Sequence, residues 1–281
     1  MKSLMIQGTS SGAGKTTLVT ALCRIFSDKG FSVAPFKSQN MSNYAYVGKN
    51  FEISRAQAIQ AIAARCKITS DLNPLLLKPL GNYYSTVYVE GKKFKRMHAT
   101  QYYQKFVRTR GLDIATKSFL RLQKNHDMVI LEGAGSPAEI NLAKFDIANM
   151  KMAEIADSPV LLIADIDRGG SFASIVGTLS LLDKKYQKLV KGFVINKFRG
   201  DVRVLKPGFK KIKEKTKRPV FGTIPMTNFD LPEEDSLNVK AKNMSWTRKN
   251  IDKIDSEIEK ISKLVAKNLD INKIERIIKC S

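Results

Sequence analysis

The run Gly8-Thr9-Ser10-Ser11-Gly12-Ala13-Gly14-Lys15-Thr16-Thr17, directly behind the apolar segment Leu4-Met5-Ile6, decides how the rest of the chain reads. A buried strand, a glycine-rich loop and a helix start, in that order, turn backbone N–H groups and a helix N-terminus into a cradle for an anion. The natural occupant is a nucleoside triphosphate such as ATP, with Gly12, Gly14, Lys15, Thr16 and Thr17 as the binding residues. Lys15 is placed to reach the outer phosphates. The Thr16 hydroxyl is placed to ligate Mg²⁺, a hard cation that takes oxygen donors. The loop is longer than the common phosphate-binding motif, because the position five residues before Gly14 is Thr9 and the opening glycine stands earlier, at Gly8. A glycine-rich turn without a ligand is the alternative, and the flanking strand and helix argue against it.

Outward from this loop, short apolar runs alternate with amphipathic stretches. Strands are expected at Leu4–Gln7, Ser32–Phe36, Met128–Leu131, Val160–Ala164, Gly192–Ile195 and Val220–Thr223. Helices are expected at Lys15–Asp28, Ser54–Cys66, Thr100–Gln123, Ile147–Ala156, Phe172–Leu182 and Leu205–Lys215. Several strands are apolar throughout, as strands covered on both faces must be. The order predicts an α/β fold of the P-loop NTPase type: a doubly wound, mostly parallel sheet flanked by helices, with ligands at the carboxyl ends of the strands. After Leu237 the composition shifts. Ile251, Ile254, Ile258, Ile261 and Leu264 recur at helical spacing in a lysine-rich stretch, with a shorter helix near Ile271–Ile278. This gives a domain over 1–237 and a lysine-rich helical tail over 238–281 packed on it, with a partner-facing helix as the alternative.

The chain has 281 residues and 43% hydrophobic content, enough for a sizeable core. Its start shows no leader pattern and no apolar run reaches membrane-spanning length, so a cytoplasmic location without membrane contact is expected. Cys23, Cys66 and Cys280 are scattered, and His98 and His126 are the only histidines that could join them, which reads as buried or idle thiols. The formal charge is +22, much of it lysine in the last third, as at Lys206, Lys210, Lys211, Lys213, Lys215 and Lys217. Solvated helix faces account for most of it, with polyanion binding as the alternative. No nucleic-acid-binding module is evident, so nucleic acid is not the favoured partner.

Further chemistry lies at strand ends. Met128–Leu131 delivers Glu132-Gly133-Ala134-Gly135-Ser136, where a carboxylate can hold Mg²⁺ opposite the phosphates, a turn cap being the alternative. Val160–Ala164 delivers Asp165 and Asp167 before Arg168-Gly169-Gly170, either a second phosphate or substrate loop or a structural turn. Asn196 ends another strand, and its amide offers the donor and acceptor that an adenine edge needs, although an asparagine in such a turn is often structural.

Long motifs then follow in a distinctive order: Ala34-Pro35-Phe36-Lys37-Ser38-Gln39-Asn40-Met41-Ser42, Glu52-Ile53-Ser54-Arg55-Ala56-Gln57-Ala58 and Asn73-Pro74-Leu75-Leu76-Leu77-Lys78-Pro79. Glu132-Gly133-Ala134-Gly135-Ser136-Pro137-Ala138-Glu139-Ile140-Asn141-Leu142, Asp165-Ile166-Asp167-Arg168-Gly169-Gly170 and Val194-Ile195-Asn196-Lys197-Phe198-Arg199-Gly200-Asp201 complete the set. From about Ile6 to Leu237 the chain resembles the synthetase domain of cobyric acid synthases, in the dethiobiotin-synthetase-like branch of P-loop proteins, which have the lengthened phosphate loop. The resemblance implies an ATP-dependent amide ligase of cobalamin biosynthesis. ATP would phosphorylate peripheral carboxylates of adenosylcobyrinic acid a,c-diamide, four in turn, and ammonia would displace the phosphate.

On this resemblance Lys15, Thr16 and Glu132 manage phosphates and Mg²⁺, and Lys37 steadies the γ-phosphate or acyl phosphate. Gln39, Asn40, Ser42, Glu52, Arg55 and Gln57 are candidates for the corrinoid side. Asp146 either helps bind or activate ammonia or caps the helix beginning at Ile147. Family members usually continue into a glutamine amidotransferase domain with a catalytic cysteine and a later histidine. Here Cys280 stands next to the last residue and both histidines precede it, so ammonia must come from a separate glutaminase subunit, from a domain absent from this chain, or from free ammonium. A homodimer is a further expectation. Ser38 stands where the family commonly has proline, which is expected to loosen the loop around Lys37. The alternatives are a dethiobiotin-synthetase-like ligase and, from another class, a DNA-partitioning ATPase. The second needs an extra lysine early in the phosphate loop, where this chain has Thr9, Ser10 and Ser11.

Overall fold

The chain is described by a computed structural model over residues 2–233 and 244–279; the expected boundary at residues 237 and 238, and Cys280, lie outside the described residues. Strand β1 (Lys2–Gly8) runs through the glycine loop into helix α1 (Lys15–Asp28), and β2 (Val33–Phe36) follows. Three short strands, β3 (Gln39–Met41), β4 (Ala45–Val47) and β5 (Glu52–Ser54), lead into α2 (Arg55–Ala64). Then come β6 (Leu75–Gly81), β7 (Tyr84–Val89), β8 (Lys92–His98), the short α3 (Ala99–Gln101), a π-helical segment over Tyr102–Gly111, and α4 (Leu112–Asn125). The chain goes on through β9 (Met128–Glu132), α5 (Met150–Ile155), β10 (Val160–Asp165), α6 (Ser171–Leu181), α7 (Lys184–Gln187) and β11 (Val190–Phe198). Helix α8 (Lys206–Thr216), β12 (Val220–Pro225), α9 (Arg248–Asn268) and α10 (Ile271–Lys279) complete it.

Six strands form the central sheet in the order β12-β11-β10-β1-β9-β2, and every pairing in it is parallel. Side chains alternate across it. Leu4, Ile6, Ile130, Leu161, Ile163 and Val194 face the layer of α1 and α9, while Met5, Val129, Leu131, Leu162, Phe193 and Ile195 face the opposite layer. Both faces are therefore covered, which is why these strands carry almost no polar residues. Because β1 has later strands on both sides, the connections diverge around it, and a crevice opens at its carboxyl end.

The sequence reading contains no second sheet, yet β3, β6, β7 and β8 form one in the order β3-β6-β7-β8, and β4 pairs with β5. Strand β3 begins just beyond Lys37, so this sheet is continuous with the rim of the crevice. The single helix expected over Thr100–Gln123 is divided, since Tyr102, Phe106, Val107 and Gly111 are buried at a spacing of four and five residues that suits a π-helix better than an α-helix. Helix α5 starts later than Ile147, because the Asp146 carboxylate takes the N–H groups of Ala148 and Asn149 out of helical register.

The two C-terminal helices pack against the sheet domain. Ile254, Ile258, Ile261 and Val265 of α9 are buried with Leu18, Leu22 and Phe26 of α1, and Ile274 and Ile278 of α10 join the same cluster. Buried Arg24 fixes this layer by donating to the Ala63 and Ile62 carbonyls of α2 and pairing with Asp255 of α9. The lysines of α8 named above are all exposed around buried Ile212 and Thr216, a solvated helix face. Cys23 is buried and Cys66 half-buried, and burial raises both thiols, that of Cys66 to about 12, so neither is a ready nucleophile. No helix among the described residues is long and apolar enough to cross a membrane. Ile258→Ala should cost about 2–5 kcal/mol, the usual penalty for emptying a packed site; urea unfolding followed by circular dichroism measures it, and an unchanged midpoint would mean that α9 is not part of this core.

Candidate active site

Three elements converge on Glu132 at the carboxyl end of β9. The Thr16 hydroxyl of α1 donates to its Oε1 at 2.9 Å, the Lys37 ammonium beyond β2 donates to the same oxygen at 2.7 Å, and the Gln60 amide of α2 donates to Oε2 at 2.6 Å. Glu132 is 1% exposed and Lys37 4%. Burial alone would raise the Glu132 carboxyl, yet the Lys37 charge and the hydrogen bonds from Lys37, Gln60 and Thr16 hold it below its ordinary value of 4.5. It is a carboxylate at neutral pH.

The glycine loop is fixed from several sides. Lys15 Nζ donates to the carbonyls of Ser10 and Gly135, both at 2.9 Å, joining the loop to the glycines beyond Glu132. Gly14 opens α1 at φ 100°, where a Cβ would overlap the Asn196 amide, so only glycine fits. Asn196 Nδ2 donates to the Ala13 carbonyl at 2.9 Å, and Lys197 bridges the Gly12 carbonyl at 2.8 Å to the Asp165 carboxylate at 2.7 Å. Asp165 also accepts from the N–H of Asp167, whose carboxylate pairs with Arg199, so the Asp165 loop braces the phosphate loop.

A cleft of about 640 Å³ lies over these groups, lined by Gly12, Gly14, Lys15, Thr16, Thr17, Lys37, Gln39, Asn40, Glu132 and Asn196 among others. Gln39 Oε1 accepts from the Tyr102 hydroxyl at 2.8 Å, and Asn40 Nδ2 donates to Ser54 Oγ at 2.6 Å, so both are held in place at the rim. Ser42, Glu52, Arg55 and Gln57 do not line this cleft. Ser42 is fully buried and caps the turn at Tyr44, Glu52 pairs with Lys78, and Arg55 lies 3.8 Å over the Tyr44 ring and donates to the Glu233 carbonyl at 3.1 Å. Gln57 donates to Gln60 Oε1 at 3.4 Å, so it acts one step behind Glu132. Gln60 is absent from the residues singled out by sequence. Ser38, expected to loosen its loop, anchors it instead: its hydroxyl donates to the Ile147 carbonyl at 2.6 Å, a bond that proline could not make.

Asp146 accepts the backbone N–H groups of Ala148, Asn149 and Lys151 at 2.7–3.0 Å, just ahead of α5, which opens at Met150 rather than Ile147. It lies in a second cavity, of about 380 Å³, which shares Gln39, Tyr103, Ala134, Glu139 and Leu142 with the main cleft. No group of three or more His, Cys, Asp or Glu suited to a metal occurs among the described residues. The hydroxyl of Thr16 and the carboxylate of Glu132, in contact at 2.9 Å, are both hard oxygen donors. A sparse protein donor set of this kind fits Mg²⁺, which keeps several waters and takes its other ligands from substrate phosphates.

A parallel sheet whose first strand runs through a glycine loop into a helix, with a lysine and a threonine opening that helix and a carboxylate facing them, defines a P-loop nucleotide-binding protein. More narrowly, the chain belongs to the CobQ/CobB/MinD/ParA nucleotide binding domain family, whose model matches residues 4–239. It is 52% identical over 237 residues to a probable cobyric acid synthase of Thermococcus kodakarensis, covering 84% of this chain and 49% of that one. To the cobyric acid synthase of Caldanaerobacter subterraneus subsp. tengcongensis it is 51% identical over 233 residues, 83% of this chain and 46% of the relative. To a probable cobyric acid synthase of Methanococcus vannielii it is 48% identical over 265 residues, 94% and 53% of the respective chains. The chain spans about half the length of the curated relatives it matches.

Removing the Lys37 charge should destabilise the fold by about 3–5 kcal/mol, because Glu132 is left buried with its opposite charge gone. The sign with pH follows from the carboxylate. Its depressed value contributes stability above the unfolded value of 4.5 and loses it as pH falls through the folded one. In Lys37→Ala burial acts with less opposition and the value rises, so the deficit relative to wild type should be largest at neutral pH and shrink on acidification. Thermal melts of both proteins across that range measure the gap, and a gap independent of pH would contradict the ion-pair account.

Proposed function

We propose that this chain amidates peripheral carboxylates of a corrinoid, adenosylcobyrinic acid a,c-diamide, with ATP and Mg²⁺ through an acyl phosphate, as a step toward cobyric acid. The observation that carries the reading is the cluster of Lys15, Thr16, Lys37 and Glu132 on one open cleft, in a chain about half identical to cobyric acid synthases. A carboxylate oxygen is a poor leaving group and phosphate a good one, so ATP activation is the chemical requirement. In the first step a substrate carboxylate oxygen forms a bond to the γ-phosphorus while the bond from that phosphorus to the β,γ-bridging oxygen breaks, and ADP leaves. In the second, the ammonia lone pair forms the C–N bond, the C–O bond to phosphate breaks, and nitrogen loses a proton.

The chain's own residues act mainly by positioning and by neutralising charge. Lys15 exchanges its two carbonyl partners for oxygens of the outer phosphates, a stronger charge-assisted bond. Thr16 and Glu132 would hold Mg²⁺, which when bound would supply positive charge against the charge that develops on transfer. Lys37 lines the same cleft and offers its ammonium to the transferring phosphoryl group. Gln39 and Asn40 line the side of the cleft from which a carboxylate would approach. Asn196 faces the same cleft and meets the adenine base with its remaining amide oxygen. Asp146, in the adjoining cavity, would help bind the incoming ammonia, supplied by a separate glutaminase subunit, by a domain absent from this chain, or as free ammonium.

Incubation of the chain with cobyrinic acid a,c-diamide, ATP, Mg²⁺ and ammonium should lower the corrinoid mass by about one unit for each carboxyl converted to a carboxamide, as followed by mass spectrometry. Lys15→Ala should abolish both ATP turnover and the mass change with the circular dichroism spectrum intact. Asp146→Asn should retain ATP binding and slow amide formation. An unmodified corrinoid in the presence of ATP turnover would refute the substrate, and full product yield from Lys15→Ala would refute the role of its ammonium.

A further inference from the structure

Beside the phosphate cleft the second sheet carries an apolar groove of about 190 Å³, lined by Met41, Leu77, Tyr83, Tyr84, Met97 and Tyr103 among others. Met41 and Tyr103 also line the phosphate cleft, so the two spaces share a wall. The register of the sheet explains the apolar floor: Leu77 is paired with Val87, and Ser85 with Met97, placing alternate residues of three strands on one face.

The mouth of the groove holds a conformational anomaly. Gly81 pairs with Tyr84 across a two-residue turn, and both turn residues have positive φ, 48° for Asn82 and 61° for Tyr83. Turns of this kind favour asparagine followed by glycine, because a Cβ at the second position is strained. The neighbouring hairpin obeys that rule: its turn is Glu90 at φ 47° and Gly91 at φ 80°. In the first hairpin a tyrosine takes the glycine's place, yet it is 81% exposed, and its ring meets the edge of the His98 ring at 6.1 Å. Met41 and Tyr84 are also exposed, at 37% and 38%. A strained aromatic that recovers so little packing within its own chain points to a ligand.

Resting on the reading of the preceding section, we propose that this groove seats the body of the corrinoid while one edge carboxylate at a time reaches the phosphate cleft. A ring whose several edge carboxylates must meet a single phosphoryl site cannot be held by hydrogen bonds to one edge. Aromatic and thioether contact with the apolar part of one ring face tolerates rotation between rounds. The groove takes part of the ring, and the shared wall of Met41 and Tyr103 directs the reacting arm into the cleft. Charge is complementary as well. Strand β8 exposes Lys92, Lys93, Lys95 and Arg96, which attract a ring edged with carboxylates.

The test is equilibrium dialysis of the full chain with cobyrinic acid a,c-diamide without ATP, read by corrin absorbance. Tyr83→Gly restores the residue the turn prefers, so loss of fold does not confuse the result. It should bind the corrinoid at least tenfold more weakly with an equal or higher melting temperature and unaltered ATP affinity. Tyr83→Phe should bind as wild type, and Tyr83→Asp, which adds a negative charge and tolerates the turn, should bind more weakly than Tyr83→Gly. Equal corrinoid affinity in wild type, Tyr83→Gly and Tyr83→Asp would overturn the proposal. So would a change confined to sedimentation, which would make the patch a self-association surface. A wild-type chain that binds ATP but no corrinoid defeats the substrate reading itself, an outcome distinct from a wild type that binds while the variants bind equally well.

Discussion

A single buried negative charge organises this molecule. Glu132 sits at the end of a central strand with almost no access to water, a placement that costs several kcal/mol for an unpaired ion. It is tolerated because Thr16, Lys37 and Gln60, from three other elements, reach it together. The requirement works in both directions. The carboxylate stays ionised only if α1, α2 and the segment after β2 are in register with β9, so the arrangement of the crevice is coupled to the stability of the sheet's carboxyl edge. A hard, oxygen-donating pair, Thr16 with Glu132, is thereby kept ready beside a lysine that balances its charge.

The phosphate loop is organised by the same logic at lower cost. Lys15, Asn196 and Lys197 each donate to carbonyls of the loop or its neighbour, which fixes its conformation. The cleft, the cavity around Asp146 and the aromatic groove of the second sheet adjoin one another, with Tyr103 lining all three. Under the proposed function, these adjoining spaces would take the triphosphate, the ammonia and part of the corrinoid around one side chain.

Much of this was legible in the residues, and the reasons for the rest are physical. Strands buried on both faces are apolar runs, so Leu4–Gln7, Met128–Leu131 and Val160–Ala164 identify themselves, and the motifs at their ends locate Lys15, Thr16, Lys37 and Glu132. The second sheet was hidden because β8 is mostly charged and exposed, β6 carries a proline, and a tyrosine masks the turn signal of the first hairpin. Gln60 was hidden because α2 is buried nearly all round, leaving no polar face from which an inward-pointing amide would stand out. For Asp146, the three backbone N–H groups it accepts depend on how the turn before α5 folds, which the residue's position in the sequence does not reveal. Ser42, Arg55 and Gln57 were read as facing substrate from their polarity, whereas they support the short strands and the helix behind the cleft.

The central claim is that the phosphoryl group passes to an oxygen of the substrate carboxylate before nitrogen arrives. Its most direct test is positional isotope transfer: cobyrinic acid a,c-diamide with ¹⁸O in its free carboxylates is incubated with the chain, ATP, Mg²⁺ and ammonium, and the released phosphate is examined by ³¹P NMR. The account predicts one ¹⁸O in the phosphate for each carboxamide formed. Carboxamide formation with phosphate free of the label would contradict it.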